Sequence, residues 1–143
     1  MIDFLQYKPG RLTSAAKFRV WMPGTADSCS ILEALLDAPD GRKMLRLFDE
    51  VVMTGLPKDN IEKCRHLEGP VFELKRGPKR GPKLRVFGFR DKERIVLPEI
   101  NLKKRDDNPA PYIRKCLAFR EHYMQAQQTN QIKVHYLTTQ EGK

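Results

Sequence analysis

The hydrophobic pattern changes period several times along the chain, and those changes mark the predicted elements. Residues 1–16 hold no sustained period and read as irregular, with a turn at Pro9-Gly10. From Lys17 to Met22, Phe18, Val20 and Met22 alternate with Lys17, Arg19 and Trp21, which predicts a short strand closed by Pro23-Gly24. A helix should start near Ser28 to Ser30, with Ser30 and Glu33 spaced as a capping box and Ile31, Leu32, Leu35 and Leu36 as its apolar side. Asp37-Ala38-Pro39-Asp40 breaks it and opens a second helix running to about Met53. The stripe there is Met44, Leu45, Leu47, Phe48, Val51 and Val52, and Gly55 supplies the C-terminal cap.

Beyond a connector at Lys58 to Leu67, with room for one helical turn, the period falls to two. Strands are expected at about 70–76, 83–90 and 93–101, the last two joined by a tight turn at Asp91-Lys92. Asn108-Pro109 has the form of a helix start, and Ile113, Cys116, Leu117, Tyr123 and Met124 carry that helix to near Gln128. Ile132 to Leu137 reads as one more strand. No linker divides the chain, so residues 1–143 are expected to form a single α+β domain.

Charge sharpens this outline. The chain carries a formal net charge of +9. The stretch from Pro70 to Arg105 holds twelve Lys or Arg against four Asp or Glu, so almost the whole excess lies in one quarter of the sequence. In Lys83-Leu84-Arg85-Val86-Phe87-Gly88-Phe89-Arg90 the alternation suggests a sheet with one apolar and one cationic face, suited to a nucleic-acid backbone. The same charges would also serve as a solvated surface. Arg76-Gly77-Pro78-Lys79-Arg80-Gly81-Pro82-Lys83 repeats a four-residue unit between two strands. Gly and Pro force it out of the sheet as a basic loop able to grip phosphates.

Candidate chemistry is otherwise sparse. Cys29, Cys64 and Cys116 are far apart and form no C-x-x-C pair, which argues against a zinc knuckle, and Cys116 falls on a core stripe. Three unpaired thiols suggest a reducing, cytoplasmic setting. His66, His122 and His135 show no partner spacing. No apolar run approaches the roughly 20 residues needed to span a bilayer, and the N-terminus lacks the pattern of a secretory signal.

Four segments in order carry a resemblance. Val71-Phe72-Glu73-Leu74-Lys75 is similar to a strand of the type L-W-E-L-R, and Leu84-Arg85-Val86-Phe87-Gly88-Phe89 to the strand that follows it. Asp91-Lys92-Glu93-Arg94-Ile95-Val96-Leu97 then resembles D-G-x-R-I-V-L, and Leu102-Lys103-Lys104 with Asn108-Pro109 resembles F-x-K-K before a final helix. Together they resemble the RelE/ParE superfamily of bacterial toxins, in particular its phage-derived, HigB-like branch. The likeness covers roughly residues 70 to 123, and the first 69 agree in layout alone.

The resemblance implies a RelE-like fold, with N-terminal helices on a small twisted antiparallel sheet and a C-terminal helix. It implies a cytoplasmic toxin of a type II toxin–antitoxin system that cuts messenger RNA on the ribosome without metal or cofactor. A ribose 2′-hydroxyl would attack the adjacent phosphate. Arg85 would orient the phosphate and stabilise the transition state, with Lys103, Lys104 or Arg105 neutralising developing charge. Tyr112 would stack on a base or aid proton transfer, or else join the core. Lys75, Arg76, Lys79, Arg80, Lys83 and Arg105 would contact RNA. Glu73 departs from the best-known RelE toxins, fits the HigB-like branch, and is expected to pair with a strand Arg. The partners implied are a protein antitoxin, often of helix-turn-helix type, the ribosome and mRNA. Two other functions fit the same residues: a ParE-like inhibitor of DNA gyrase, and a phage or mobile-element protein that binds nucleic acid without chemistry.

Overall fold

A computed structural model describes residues 1–10, 16–102 and 108–137. Among the described residues the architecture is α+β, with three helices and a seven-stranded mixed sheet. The strands are β1 (Ile2–Gln6), β2 (Arg19–Pro23), β3 (Cys64–His66), β4 (Phe72–Arg76), β5 (Leu84–Asp91), β6 (Arg94–Asn101) and β7 (Ile132–Tyr136). The helices are α1 (Ser30–Asp37), α2 (Gly41–Thr54) and α3 (Ala110–Gln128). Spatial order is β3-β4-β5-β6-β2-β1-β7. The run from β3 to β6 is antiparallel, β2 lies parallel to β6, and β7 lies parallel to β1.

The sheet is therefore larger than the small antiparallel one expected, and the N-terminal segment is part of it. Residues 2–6 lack a clean alternation because β1 is buried on both faces: Ile2 and Phe4 on one, Leu5 on the other. The connector before β4 likewise contributes β3.

Neither face of the central sheet is cationic. Leu5, Val20, Met22, Leu74, Val86, Ile95 and Leu97 pack beneath α1 and α2. Phe4, Trp21, Phe89 and Val96 pack beneath α3 with Ile113, Cys116 and Tyr123. The residues that alternate with the first set are thus mostly aromatic rather than basic. Trp21 stacks on Phe4 with ring centroids 5.3 Å apart, and Phe89 meets Tyr123 edge-on at 5.4 Å. Cations collect where the α3-covered face gives out, at one end of β4 and β5.

Local signals account for most helix ends. Gly55 caps α2 at φ 88°, its N–H donating to Val51 O. Asn108 Oδ1 accepts from Ala110 N at 3.0 Å at the start of α3. The α1 cap is Cys29 rather than Ser30, and Glu33 reaches back to accept from Cys29 N at 3.3 Å. Leu36, expected on the apolar side of α1, is 67% exposed. The β5–β6 turn closes through Lys92 at φ 57°. Beside it, Asp91 Oδ2 accepts from Tyr123 Oη (2.6 Å), Arg94 Nη1 (3.0 Å) and Gln127 Nε2 (3.0 Å), tying the hairpin to α3.

One irregularity in the β5–β6 ladder shapes everything downstream of it. Phe89 pairs with Val96, but Phe87 pairs with Glu99, so β6 carries an extra residue between them. Pro98 sits inside that bulge, where a missing N–H costs no ladder bond. Opposite it, Gly88 lets the strands close: a Cβ there would lie 2.1 Å from Val96 O.

Candidate nucleic-acid interface

Ladder register places side chains in rows on the α3-facing side of the sheet, beyond the aromatic core. One row crosses four strands as Arg65, Glu73, Phe87 and Glu99. The next row holds Lys75, Arg85 and Asn101. Directly paired residues share a face, so these seven side chains form one patch.

Glu73 anchors the patch and is fully buried. Arg85 Nη1 donates to both of its carboxylate oxygens, at 3.0 and 3.1 Å, and Arg65 Nη2 approaches Oε2 at 2.7 Å. The expected pairing of Glu73 with a strand Arg is present, with a second arginine from β3 that the sequence did not indicate. The Arg85 side chain is only 12% exposed, so it acts as a fixed positive charge rather than a mobile arm. Lys75 completes the cluster, and its cations outnumber the carboxylate they surround three to one. Burial lowers the Lys75 pKa; Glu73 opposes the shift, while Arg65, Arg85 and Lys83 add to it.

Tyr112, in the first turn of α3, lies flat against Phe87, with centroids 4.9 Å apart and planes 5° from parallel. It closes the boundary between the aromatic core and the charged rows. Glu99 lies in the row beside it, half-buried, with its pKa raised by burial and partly restored by Lys115. Cys116 lies close enough to feel the Glu99 charge, and burial foremost pushes its thiol up to about 12. It is wholly buried in the core, as its place on the stripe suggested.

The remaining basic candidates separate. Arg76 pairs with Leu84 and so turns to the α1–α2 side, away from Lys75. Its Nε is buried with no hydrogen-bond partner among the described residues. Lys79 and Arg80 are exposed at the tip of the β4–β5 loop. Lys83 folds back over that loop, its Nζ donating to Pro78 O at 2.8 Å and Lys79 O at 3.3 Å, so it braces the loop as well as charging it. Lys103, Lys104 and Arg105 lie outside the described residues.

Arg65, Glu99 and Asn101 were not foreseen as site residues. The only sequence signal for the last two is Pro98: an interior strand proline marks a bulge, and a bulge reverses the faces that follow it. Among the described residues no group of three or more His, Cys, Asp or Glu could hold a metal ion, and no helix is long and apolar enough to cross a membrane. Compared with family models, curated proteins and solved structures, the chain matches none.

Proposed function

We infer that the protein is an endoribonuclease toxin that cuts messenger RNA on the ribosome, using the ribose 2′-hydroxyl as nucleophile. What supports this reading is the convergence of Arg65, Lys75 and Arg85 on one patch, the last two within the segment whose four motifs resemble HigB-like toxins. A phosphodiester gains a second negative charge as it passes to a pentacoordinate phosphorane. Fixed cations in a half-buried site stabilise that charge more than they would in water. Arg85, held by Glu73, is already oriented, so little reorganisation accompanies the reaction. The exposed Lys79 and Arg80 would add contacts to the RNA backbone.

A toxin of this kind needs a protein antitoxin, expected from a neighbouring gene. Co-expression with that product should restore growth.

The test is induction in growing cells with transcript 5′ ends mapped for the wild type and Lys75→Met. New ends inside translated frames, absent in the variant, are the expected result. Growth arrest with intact transcripts would refute the ribonuclease and turn attention to gyrase. The absence of both arrest and cleavage would leave a nucleic-acid-binding protein.

A further inference from the structure

Glu99 and Lys75 flank Arg85 from opposite neighbouring strands, on the same face of the sheet. Lys75 stands directly beside Arg85 on β4, and Glu99 stands beside Phe87 on β6, one row away. Two strand spacings and one two-residue step put their Cα atoms about 12 Å apart. That span suits two side chains reaching inward to the two ends of one phosphodiester held over Arg85.

We propose that Glu99 is the general base and Lys75 the general acid of the cleavage, a reading that rests on the ribonuclease assignment above. The ionised Glu99 carboxylate takes the proton from the ribose 2′-hydroxyl. The 2′-oxygen forms a bond to phosphorus, the bond from phosphorus to the 5′-oxygen breaks, and the Lys75 ammonium protonates that departing oxygen. The products are a 2′,3′-cyclic phosphate and a 5′-hydroxyl, with no water or co-reactant consumed. Both side chains then return to their starting charge by exchanging a proton with solvent.

The surroundings prepare each group for its part. Glu99 is faced by Phe87 from β5 and Glu73 beyond it on β4, and by Lys115 and Cys116 from α3, with Tyr112 stacked on Phe87. Burial dominates there and makes the carboxylate a stronger base than one in water. Lys75 is partly buried, and that desolvation foremost, with the charges of Arg65, Arg85 and Lys83, makes its ammonium a stronger acid despite Glu73. The two pKa values are thus drawn toward each other, as an acid–base pair near neutral pH requires. The Pro98 bulge brings Glu99 to this face at all.

The test is single-turnover cleavage of a defined mRNA on programmed ribosomes, followed from about pH 5 to pH 9. The wild type should give a bell-shaped profile. Glu99→Gln should lower the rate about 10²- to 10⁴-fold and abolish the acid limb, with ribosome binding unchanged. Glu99→Asp should recover part of the rate and the limb. Lys75→Met should lose the alkaline limb. An mRNA with sulfur in place of the bridging 5′-oxygen should rescue Lys75→Met but not Glu99→Gln, because a thiolate leaves without protonation. A Glu99→Gln rate within about threefold of wild type, or a persistent acid limb, would overturn the base assignment and leave the ribonuclease standing. Failure of the sulfur substrate to rescue Lys75→Met would overturn the acid. A wild type that binds programmed ribosomes but never cuts would overturn this pairing and the ribonuclease together.

Discussion

Replacing Arg85 by Met tests whether one side chain both supports the fold and serves the site. Glu73 is fully buried, and Arg85 donates to both of its oxygens. Removing one partner of a buried ion pair costs about 3–5 kcal/mol, because the other charge is left in a medium that solvates it poorly. Arg65 remains at 2.7 Å from Oε2, but its side chain is 46% exposed and part of its effect is screened by solvent. The expected loss is therefore at the lower end, about 3 kcal/mol. For a chain of this size that corresponds to roughly 9 °C in melting temperature.

The double variant Glu73→Gln/Arg85→Met removes both buried charges and should return to within about 1 kcal/mol of wild type. Urea unfolding of the four proteins closes the cycle, with an expected coupling of at least about 2 kcal/mol, larger by whatever Glu73→Gln costs alone. If Arg85→Met loses less than about 1 kcal/mol, or the cycle is additive within about 0.5 kcal/mol, Glu73 does not depend on Arg85 and the fixed-charge account of the site fails. The double variant also serves the functional question. It should be folded yet inactive, so any loss of cleavage in it cannot be assigned to unfolding.

Three further perturbations follow from the packing. Gly88→Ala would place a Cβ 2.1 Å from Val96 O and 2.7 Å from Leu97 Cδ2, and the backbone contact cannot relax cheaply. A loss of about 3 kcal/mol or more is expected in denaturant unfolding, and a loss under about 1 kcal/mol would show that the ladder is not closed there. Tyr123→Phe removes the 2.6 Å bond to Asp91 and should cost about 1.5 kcal/mol at neutral pH. Burial raises the Asp91 pKa, but bonds from Tyr123, Arg94 and Gln127 with the Arg94 charge outweigh it, and the net shift is downward. A depressed carboxylate stabilises the fold above its unfolded pKa and loses that contribution as pH falls through its folded value. In Tyr123→Phe the folded value rises, so acid unfolding should begin at higher pH and the gap from wild type should close in strong acid. Unfolding midpoints across the acid range would show a constant gap if Asp91 were not the linked group. Finally, Lys79→Ala/Arg80→Ala should leave melting unchanged and lower the salt dependence of single-stranded RNA binding by about 1.4 in log–log slope. An unchanged slope would place the loop off the RNA.

Local spacing determined a good deal about this protein. The cap at Gly55, the break at 37–40, the β5–β6 turn and the helix after Pro109 follow from residues within a few positions of one another, so a short window contains the physics. The link between Glu73 and a strand Arg was legible too, because an acid within a basic strand segment needs a partner and the adjacent antiparallel strand supplies one. What faces what was settled only by long-range pairing. Alternation makes residues opposite Leu84 and Val86 look exposed, yet α3 returns from far along the chain to cover Phe87 and Phe89, so a face that reads as cationic is mostly aromatic core. Strict alternation from Ile95 would put Glu99 and Asn101 under α1 and α2. The extra residue at Pro98 turns both to the side of Lys75 and Arg85. Strand period is a property of one segment, but burial and register belong to two segments meeting, and the candidate site exists only where they meet.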